Sequence, residues 1–321
     1  MNVSPTEAVP ADGVIQIAFD RVLLTASVTR QAFLLGDANN VAINPVVTYD
    51  PVRRIVTLSN PAPAGGSWLT PGLSYKLILT TPGTSQDHLS GARAIDGAVL
   101  DSASAVETGF MAAAPANAGP IDAKMSFCND VLPIFQARCS AGQCHGAPTI
   151  QPPSERFPDG HTVPAAGLLL ETSQGVLATA IGRVAQGSNT GATAGAGGPP
   201  YPKFGIDLPL IDPGDPANSW LMYKVLLAPL PTADAGVLTN PNCGDNPPPP
   251  TAEPAPATQF MDLSDDERAR LENYVLGSQM PYPPSPGRDD RSQNLTEDEL
   301  ERVRAWIAEG ATVNDCSSCS Q

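Results

Sequence analysis

The pattern of apolar residues changes across a short stretch rich in alanine and proline, residues 112–120. Before this stretch, apolar and polar residues alternate with the two-residue period of β-strands. After it, apolar residues recur at the three- and four-residue spacing of helices. The stretch is uncharged, and its small residues and prolines are typical of a linker. The sequence therefore predicts two domains, residues 1–112 and residues 123–321, joined by residues 113–122.

Three segments of the first domain predict strands: residues 13–19, 52–58 and 73–79. Each places its apolar side chains on one face, and turn signals such as Asn60-Pro61 and Pro71-Gly72 separate the segments. The residues expected on the buried faces are Ile15, Ile17, Phe19, Val56, Leu58, Leu73, Tyr75, Leu77 and Leu79. Short strands divided by turns favour an all-β sandwich.

The order of short motifs in the first domain is similar to that of a known family. The motifs are Val3-Ser-Pro5, Ile17-Ala-Phe-Asp20, Leu69-Thr-Pro-Gly-Leu-Ser-Tyr75, Asp96-Gly97 and Gly109-Phe110. In this order the domain resembles the bacterial Ig-like domains first recognised in surface-layer proteins. The resemblance implies a spacer or adhesive module without catalytic residues.

The second domain predicts short helices separated by long loops. Asn129 is placed to cap a helix that runs through Arg138, and residues 173–181 and 219–227 predict two more. Two further helices are predicted by capping boxes, one opening at Ser264 and one at Thr296. The fold class expected is therefore mixed, with an all-β first domain and a mainly α second domain.

The segment Cys139-Ser-Ala-Gly-Gln-Cys144-His145 carries the chemistry of the second domain. In c-type haem attachment, two thiols add across the haem vinyl groups, and the adjacent histidine coordinates the iron. Four residues separate these cysteines instead of two, a spacing that multihaem cytochromes also use, and Gly142 permits the wider loop to bulge. A tight-loop disulfide with His145 as a bystander explains the motif equally well, so the motif alone leaves both interpretations open.

The flanks of this motif favour the haem. They comprise Pro133-Ile-Phe135, Pro213-Gly-Asp-Pro216 with Ser219 and Leu221, Met280-Pro281, and Trp306-Ile-Ala-Glu-Gly-Ala311. With them, about residues 125–313 resemble the cytochrome c-like domains of planctomycete and myxobacterial surface proteins. The resemblance implies one covalent haem c on Cys139 and Cys144, with His145 as the proximal iron ligand and Met280 as the distal one. It also implies that Phe135 meets Trp306 where the first and last helices cross.

Two residues compete for the distal position. Met280 offers a thioether, which suits haem iron, and the following proline restricts its backbone. Against this, a methionine is more often part of a core. His161 lies in a polar loop and would give a site with two histidines. Met280 is the preferred ligand.

Four other cysteines are disulfide candidates: Cys128, Cys243, Cys316 and Cys319. Because the terminal helices of cytochrome c-like folds cross, the resemblance implies that Cys128 pairs with Cys316 or Cys319 and that Cys243 takes the other. A redox pair between Cys316 and Cys319, or a zinc site made of all four, is a weaker alternative.

The net charge of −15 argues against nucleic acid as a ligand, and it favours a solvated surface or a redox partner with a basic docking face. No apolar run is long enough to span a bilayer. No export signal opens the chain, although an even number of cysteines suits an oxidising compartment. We therefore expect a periplasmic, cell-surface or secreted protein whose signal has been trimmed, with a lipid anchor in the precursor as an option.

The leading hypothesis is an electron carrier with one His/Met-ligated haem and no catalytic residues. The alternative is a haem-free, disulfide-bonded surface protein of structural or adhesive function. Peroxidase-like activity is a third hypothesis, which requires an open sixth position on the iron.

Overall fold

The computed structural model describes residues 8–62, 66–80, 91–100, 107–116, 122, 124–140, 144–146, 164, 167–185, 208–231, 262–275, 278–281 and 293–316. In these residues the fold is mixed. The strands lie between Ala8 and Ala113, whereas the α-helices lie between Leu132 and Ala308. We refer to these two parts as the strand half and the helical half.

In the part of the strand half that the structure describes, eight strands form two sheets. They are β1 (Ala8–Pro10), β2 (Ile15–Ala18), β3 (Phe33–Asp37), β4 (Ala42–Ile43), β5 (Val46–Asp50), β6 (Ile55–Ser59), β7 (Ser74–Leu79) and β8 (Glu107–Ala113). The larger sheet has the order β1-β8-β7-β3-β4 and the smaller one β2-β6-β5. All pairs are antiparallel except β1 with β8. Side chains from both sheets share one apolar core, as in a sandwich.

The predicted alternation is confirmed in most positions. Ile15 and Ile17 of β2 are buried, and so are Tyr75, Leu77 and Leu79 of β7, which alternate with less buried residues. Leu73 was expected on that buried face, but its side chain is 46% exposed. It precedes β7 and follows Gly72, whose φ of +79° turns the chain before the strand begins.

Within the described residues, the helical half has five helices besides a short 3-10 helix at Pro216–Asn218. Helix α1 covers residues 127–139 as two wide π-helical turns, Phe127–Val131 and Phe135–Cys139, with α-helical residues Leu132–Ile134 between them; the others are α2 (Ser173–Thr179), α3 (Trp220–Leu226), α4 (Asp265–Glu272) and α5 (Glu297–Ala308). All five were predicted, with boundaries that shift by a few residues. The expected cap of α1 was wrong, because Ser126 and not Asn129 occupies that position, and its hydroxyl accepts a hydrogen bond from the Asn129 amide.

The two predicted capping boxes differ in the structure. At α5 both bonds form, between Thr296 and Glu299. At α4 the Ser264 hydroxyl accepts from the Glu267 amide, but the Glu267 carboxylate turns to the strand half, where it accepts from the Val22 amide and from Arg21.

Helices α1 and α5 pack on each other through aromatic rings. The ring centroids of Phe135 and Trp306 are 5.9 Å apart with the planes at 82°, and Phe127 completes the cluster. All three side chains are buried. The expected contact between the first and last helices is confirmed.

A disulfide joins Cys128 at the start of α1 to Cys316 beyond α5. Cys316 is one of the two partners that the resemblance implied for Cys128, and the bond excludes a Cys316–Cys319 redox pair in this state. Cys243 and Cys319 lie outside the described residues.

The two halves make extensive contacts. Val22, Val52 and Ile95 of the strand half belong to the same apolar cluster as the helices. The hydroxyl of Thr25 lies 2.7 Å from that of Tyr223 on α3. In the described part of the chain, none of the helices is both long and apolar enough to cross a membrane.

Candidate functional site

Cys139 is the last residue of α1, and its side chain is buried. Its thiol is not part of a disulfide, and neither is that of the exposed Cys144. Burial raises the pKa of the Cys139 thiol to about 12, and the negative charge of Glu299 acts in the same direction. The thiol is therefore protonated at neutral pH in this state.

His145 lies against the end of α1. The His145 amide donates to the Cys139 carbonyl at 3.0 Å. The carbonyl of His145 accepts from the Leu170 amide at 2.8 Å, and the Ser140 hydroxyl lies 3.4 Å from the same oxygen. The His145 side chain is only 8% exposed. The backbone of the histidine is thus held on two sides by neighbouring segments.

Gly146 packs closely against Ser140, the residue that follows α1. A Cβ at this position would lie 2.8 Å from the Ser140 carbonyl oxygen and 3.3 Å from a Glu171 carboxylate oxygen. The first distance is shorter than a carbon–oxygen contact allows, and the obstacle is backbone, which cannot rotate away. The residue after Cys144-His145 must therefore be glycine for the chain to pass Ser140 this closely. The sequence shows the glycine, but only the fold shows what it avoids.

Arg138, which precedes Cys139, anchors the end of α1 to the start of α5. Its guanidinium donates to both carboxylate oxygens of Glu299 at 2.9–3.2 Å, and both side chains are buried. Glu299 also accepts from the Thr296 amide in the capping box. One carboxylate therefore fixes the N-terminus of α5 and the helix that carries Cys139.

Met280 lies on a separate segment, residues 278–281, and its side chain is half-buried. The peptide bond to Pro281 is cis. The Met280 amide donates to the Lys224 carbonyl on α3 at 3.0 Å, and the Lys224 ammonium donates to the Ser278 carbonyl. Burial lowers the pKa of Lys224 to about 8.

The segment of Met280 and the end of α1 next to Cys139 both contact the region where α5 begins. Gln279 lies within 3.5 Å of Asn294, three residues before the helix, and Asn294 in turn donates to the Pro229 carbonyl at 2.8 Å. Arg138 contacts Glu299 in the first turn of the same helix. The N-terminus of α5 thus connects two segments that are more than a hundred residues apart in the chain.

Several predicted positions lie outside the described residues: Gly142, His161, Cys243 and Cys319. His161 therefore stays an untested alternative to Met280. Within the described residues, no group of three or more histidine, cysteine or acidic side chains is arranged to hold a metal ion.

The residues present fit a covalently attached haem in their chemistry. Attachment needs two thiols that are not consumed by a disulfide, with an imidazole directly after the second. Cys139 and Cys144 keep their thiols although Cys128 and Cys316 have paired. A thioether on an independent segment, that of Met280, is available as a second soft ligand.

Two residues of this region were missed by sequence reasoning. Glu299 was recognised as a cap, but its bond to Arg138 joins residues 161 positions apart and leaves no local signal. Lys224 did leave one, because it interrupts the apolar run Trp220-Leu-Met-Tyr-Lys-Val-Leu226, every residue of which is buried.

The chain matches no protein-family model, and no curated protein matches it significantly. A proposal for its function consequently rests on the chemistry of the site and on the order of its motifs.

Proposed function

We propose that the protein is an extracytoplasmic electron carrier with one haem c, attached to Cys139 and Cys144 and ligated by His145 and Met280. The observation that carries the proposal is the pair of unbonded thiols next to an imidazole whose backbone is fixed on two sides. The Cys128–Cys316 disulfide supports a location in an oxidising compartment, which is the periplasm, the cell surface or the medium.

The bound haem would supply one iron that cycles between its ferric and ferrous states. The protein's part is to hold this iron still. Helix α1 would supply Cys139, the close packing at Gly146 would hold the backbone of His145, and the segment next to α3 would supply Met280. Fixed ligands keep the structural change between the two oxidation states small, which favours fast electron transfer.

If His145 and Met280 both bind the iron, no coordination position is left for a substrate. This favours electron transfer over catalysis. The negative net charge favours a redox partner with a basic docking face. The strand half would be the Ig-like module, with the role of a spacer or adhesive unit. A haem-free structural protein is the alternative, and a Cys139–Cys144 disulfide in the isolated protein would favour it.

The experiment is expression with export in a host that attaches haem c. The ferrous protein should show the sharp absorption bands of a c-type cytochrome, and its mass should exceed that of the polypeptide by one haem. Cys139→Ser and Cys144→Ser should each lose one thioether bond, and the double variant should lose covalent haem entirely. The double variant Cys128→Ser/Cys316→Ser makes the same chemical change elsewhere and should keep the haem.

Met280 is tested separately. Met280→Ala should open the sixth position, so that carbon monoxide binds the ferrous protein readily, and should lower the midpoint potential. Met111→Ala removes an exposed methionine of β8 and should change neither property. Wild-type protein that binds no haem, with the two thiols oxidised to a disulfide, would exclude the electron-carrier function; rapid binding of carbon monoxide to the wild type would favour peroxidase-like chemistry.

A further inference from the structure

The C-terminus of α3 is stabilised by two other segments. The last carbonyls of a helix have no partner within it, so other groups must bind them. The Lys224 carbonyl accepts from the Met280 amide at 3.0 Å. The carbonyls of Leu226 and Ala228 accept from the Arg268 guanidinium at 2.7 and 3.2 Å. The Met280 segment is therefore built onto the end of α3.

The side chain of Lys224 binds the same segment a second time. Its ammonium donates to the Ser278 carbonyl, two residues before the amide that its own carbonyl accepts. The residue is only 8% exposed. Transfer of an ammonium group out of water is costly, so an interior lysine on an otherwise apolar helix is not explained by packing alone.

These contacts lead to an inference about the role of this lysine. We propose that Lys224 is the positioning residue for Met280, holding residues 278–280 against α3 by one bond at each end. The inference rests on the proposed function, in which Met280 is an iron ligand. Lys224 binds the Ser278 carbonyl through its ammonium and the Met280 amide through its carbonyl. The segment cannot slide along α3 without breaking both bonds, so the backbone that carries the Met280 side chain is fixed.

A purely structural role for Lys224 is the competing explanation. In that case the lysine would support the helix end, as cations do in the last turn, and its loss would lower stability without changing the iron. The two explanations differ in one observable, which is the state of the sixth ligand after the ammonium has been removed.

The test compares Lys224→Met with Lys76→Met. Methionine replaces the apolar stem of lysine but lacks the terminal donor, and Lys76 is an exposed lysine of β7 that serves as the matched control. Hydrogen exchange is measured at residues 278–280 in the haem-loaded and haem-free proteins. Imidazole binding to the ferric protein and the midpoint potential are measured in parallel.

In Lys224→Met we expect exchange at the Met280 amide to be about tenfold faster, which corresponds to the loss of one hydrogen bond that held the segment. Imidazole should displace the sixth ligand at a concentration about fivefold lower, and the midpoint potential should fall. Lys224→Arg keeps a cationic donor and should restore wild-type imidazole binding. Lys76→Met should leave all three quantities unchanged.

If Lys224→Met does not fold, Lys224→Gln replaces it in the test. The glutamine amide is uncharged and lies one bond closer to the backbone than the lysine ammonium, so the same changes are expected, but smaller.

Faster exchange at the Met280 amide with unchanged imidazole binding and midpoint potential would make Lys224 purely structural and overturn the proposal. An unchanged exchange rate at the Met280 amide would show that Lys224 does not hold the segment, and it would overturn the proposal as well. Wild-type protein without haem would instead refute the proposed function, and with it any role of Lys224 towards a ligand, while the exchange data would still report on the contact itself.

Discussion

Gly146 shows how a single residue determines whether the candidate site can form. A backbone hydrogen bond joins His145 to Cys139, and the next residue passes the Ser140 carbonyl so closely that only hydrogen fits. A side chain here would have to displace the backbone next to His145, whose carbonyl accepts from the Leu170 amide. The position after the motif is therefore restricted as well as the cysteines and the histidine.

Gly146→Ala should therefore destabilise the protein by about 1–3 kcal/mol, the usual range for a forced close contact, and should reduce the fraction of protein that acquires covalent haem. Gly109→Ala is the control, since its new Cβ would meet only the Tyr75 carbonyl oxygen at an ordinary 3.7 Å. Urea unfolding and the ratio of haem absorption to protein concentration measure both effects. Equal behaviour of the two variants would contradict the assigned role.

At the scale of elements, the site depends on the crossing of α1 and α5. Aromatic packing between Phe135 and Trp306 sets their distance, and the buried pair of Arg138 and Glu299 sets their register next to Cys139. The apolar periodicity of each helix could be recognised in the sequence. The pairing of Arg138 with Glu299 could not, because a buried ion pair is determined by which surfaces meet and not by local propensity.

Glu299→Ala should cost about 3–5 kcal/mol of unfolding free energy, because it leaves the Arg138 guanidinium buried without its carboxylate. Thr296→Ala removes the hydroxyl of the same cap and should cost about 1 kcal/mol. Asp298→Ala removes an exposed carboxylate from the buried Arg302, which keeps its bond to Asp130, and should cost about 1 kcal/mol or less. Denaturant unfolding of the three variants would refute the dual role of Glu299 if its loss were no worse than that of Thr296.

At the scale of the whole molecule, a buried ionic network joins the two halves. Arg304 of α5 contacts Asp50 at the end of β5 at 3.1 Å, Asp122 at 2.6 Å and Glu301 at 2.8 Å. Arg53 of the strand half bonds to Asp122 and Glu301 as well, at 2.9 and 3.0 Å. Asp122 lies at the end of the segment predicted to be a linker, so the network attaches that segment to both halves.

This network predicts a loss of stability in acid. Burial alone would raise the pKa of Asp122, but hydrogen bonds and charge from Arg304, together with Arg53, lower it below its ordinary value. A carboxylate with a lowered pKa stabilises the folded state above the unfolded pKa of about 4, and this contribution is lost as the pH falls through the folded value. The unfolding free energy should therefore decrease below about pH 4.

Arg304→Met tests the network directly. The variant leaves the carboxylates without their central cation, so it should cost about 3–5 kcal/mol at pH 7 and should flatten the acid dependence. Glu107→Ala at the exposed pair with Lys76 is the control and should cost less than about 1 kcal/mol. Urea unfolding from pH 7 to pH 3 measures both; an Arg304→Met protein with wild-type stability would show that the network contributes nothing.

Local patterns determined much of this protein. Three patterns could be recognised in the sequence because each depends on residues close together in the chain. They are the alternation at Ile15 and Ile17, the capping box at Thr296, and the spacing of Cys139, Cys144 and His145. These patterns predicted strands, helices and the candidate site motif, and at α1 the boundary shifted because Ser126 caps the helix instead of Asn129.

Only the tertiary structure decided which of these pieces meet. It chose Cys316 as the partner of Cys128 across 188 residues, turned Glu267 from its own helix end to the strand half, and placed Lys224 under the segment of Met280. The physical reason is the same in each case. A thiol, a carboxylate or an ammonium has several partners of suitable chemistry in the chain, and only the packing of the apolar cores brings one of them within bonding distance.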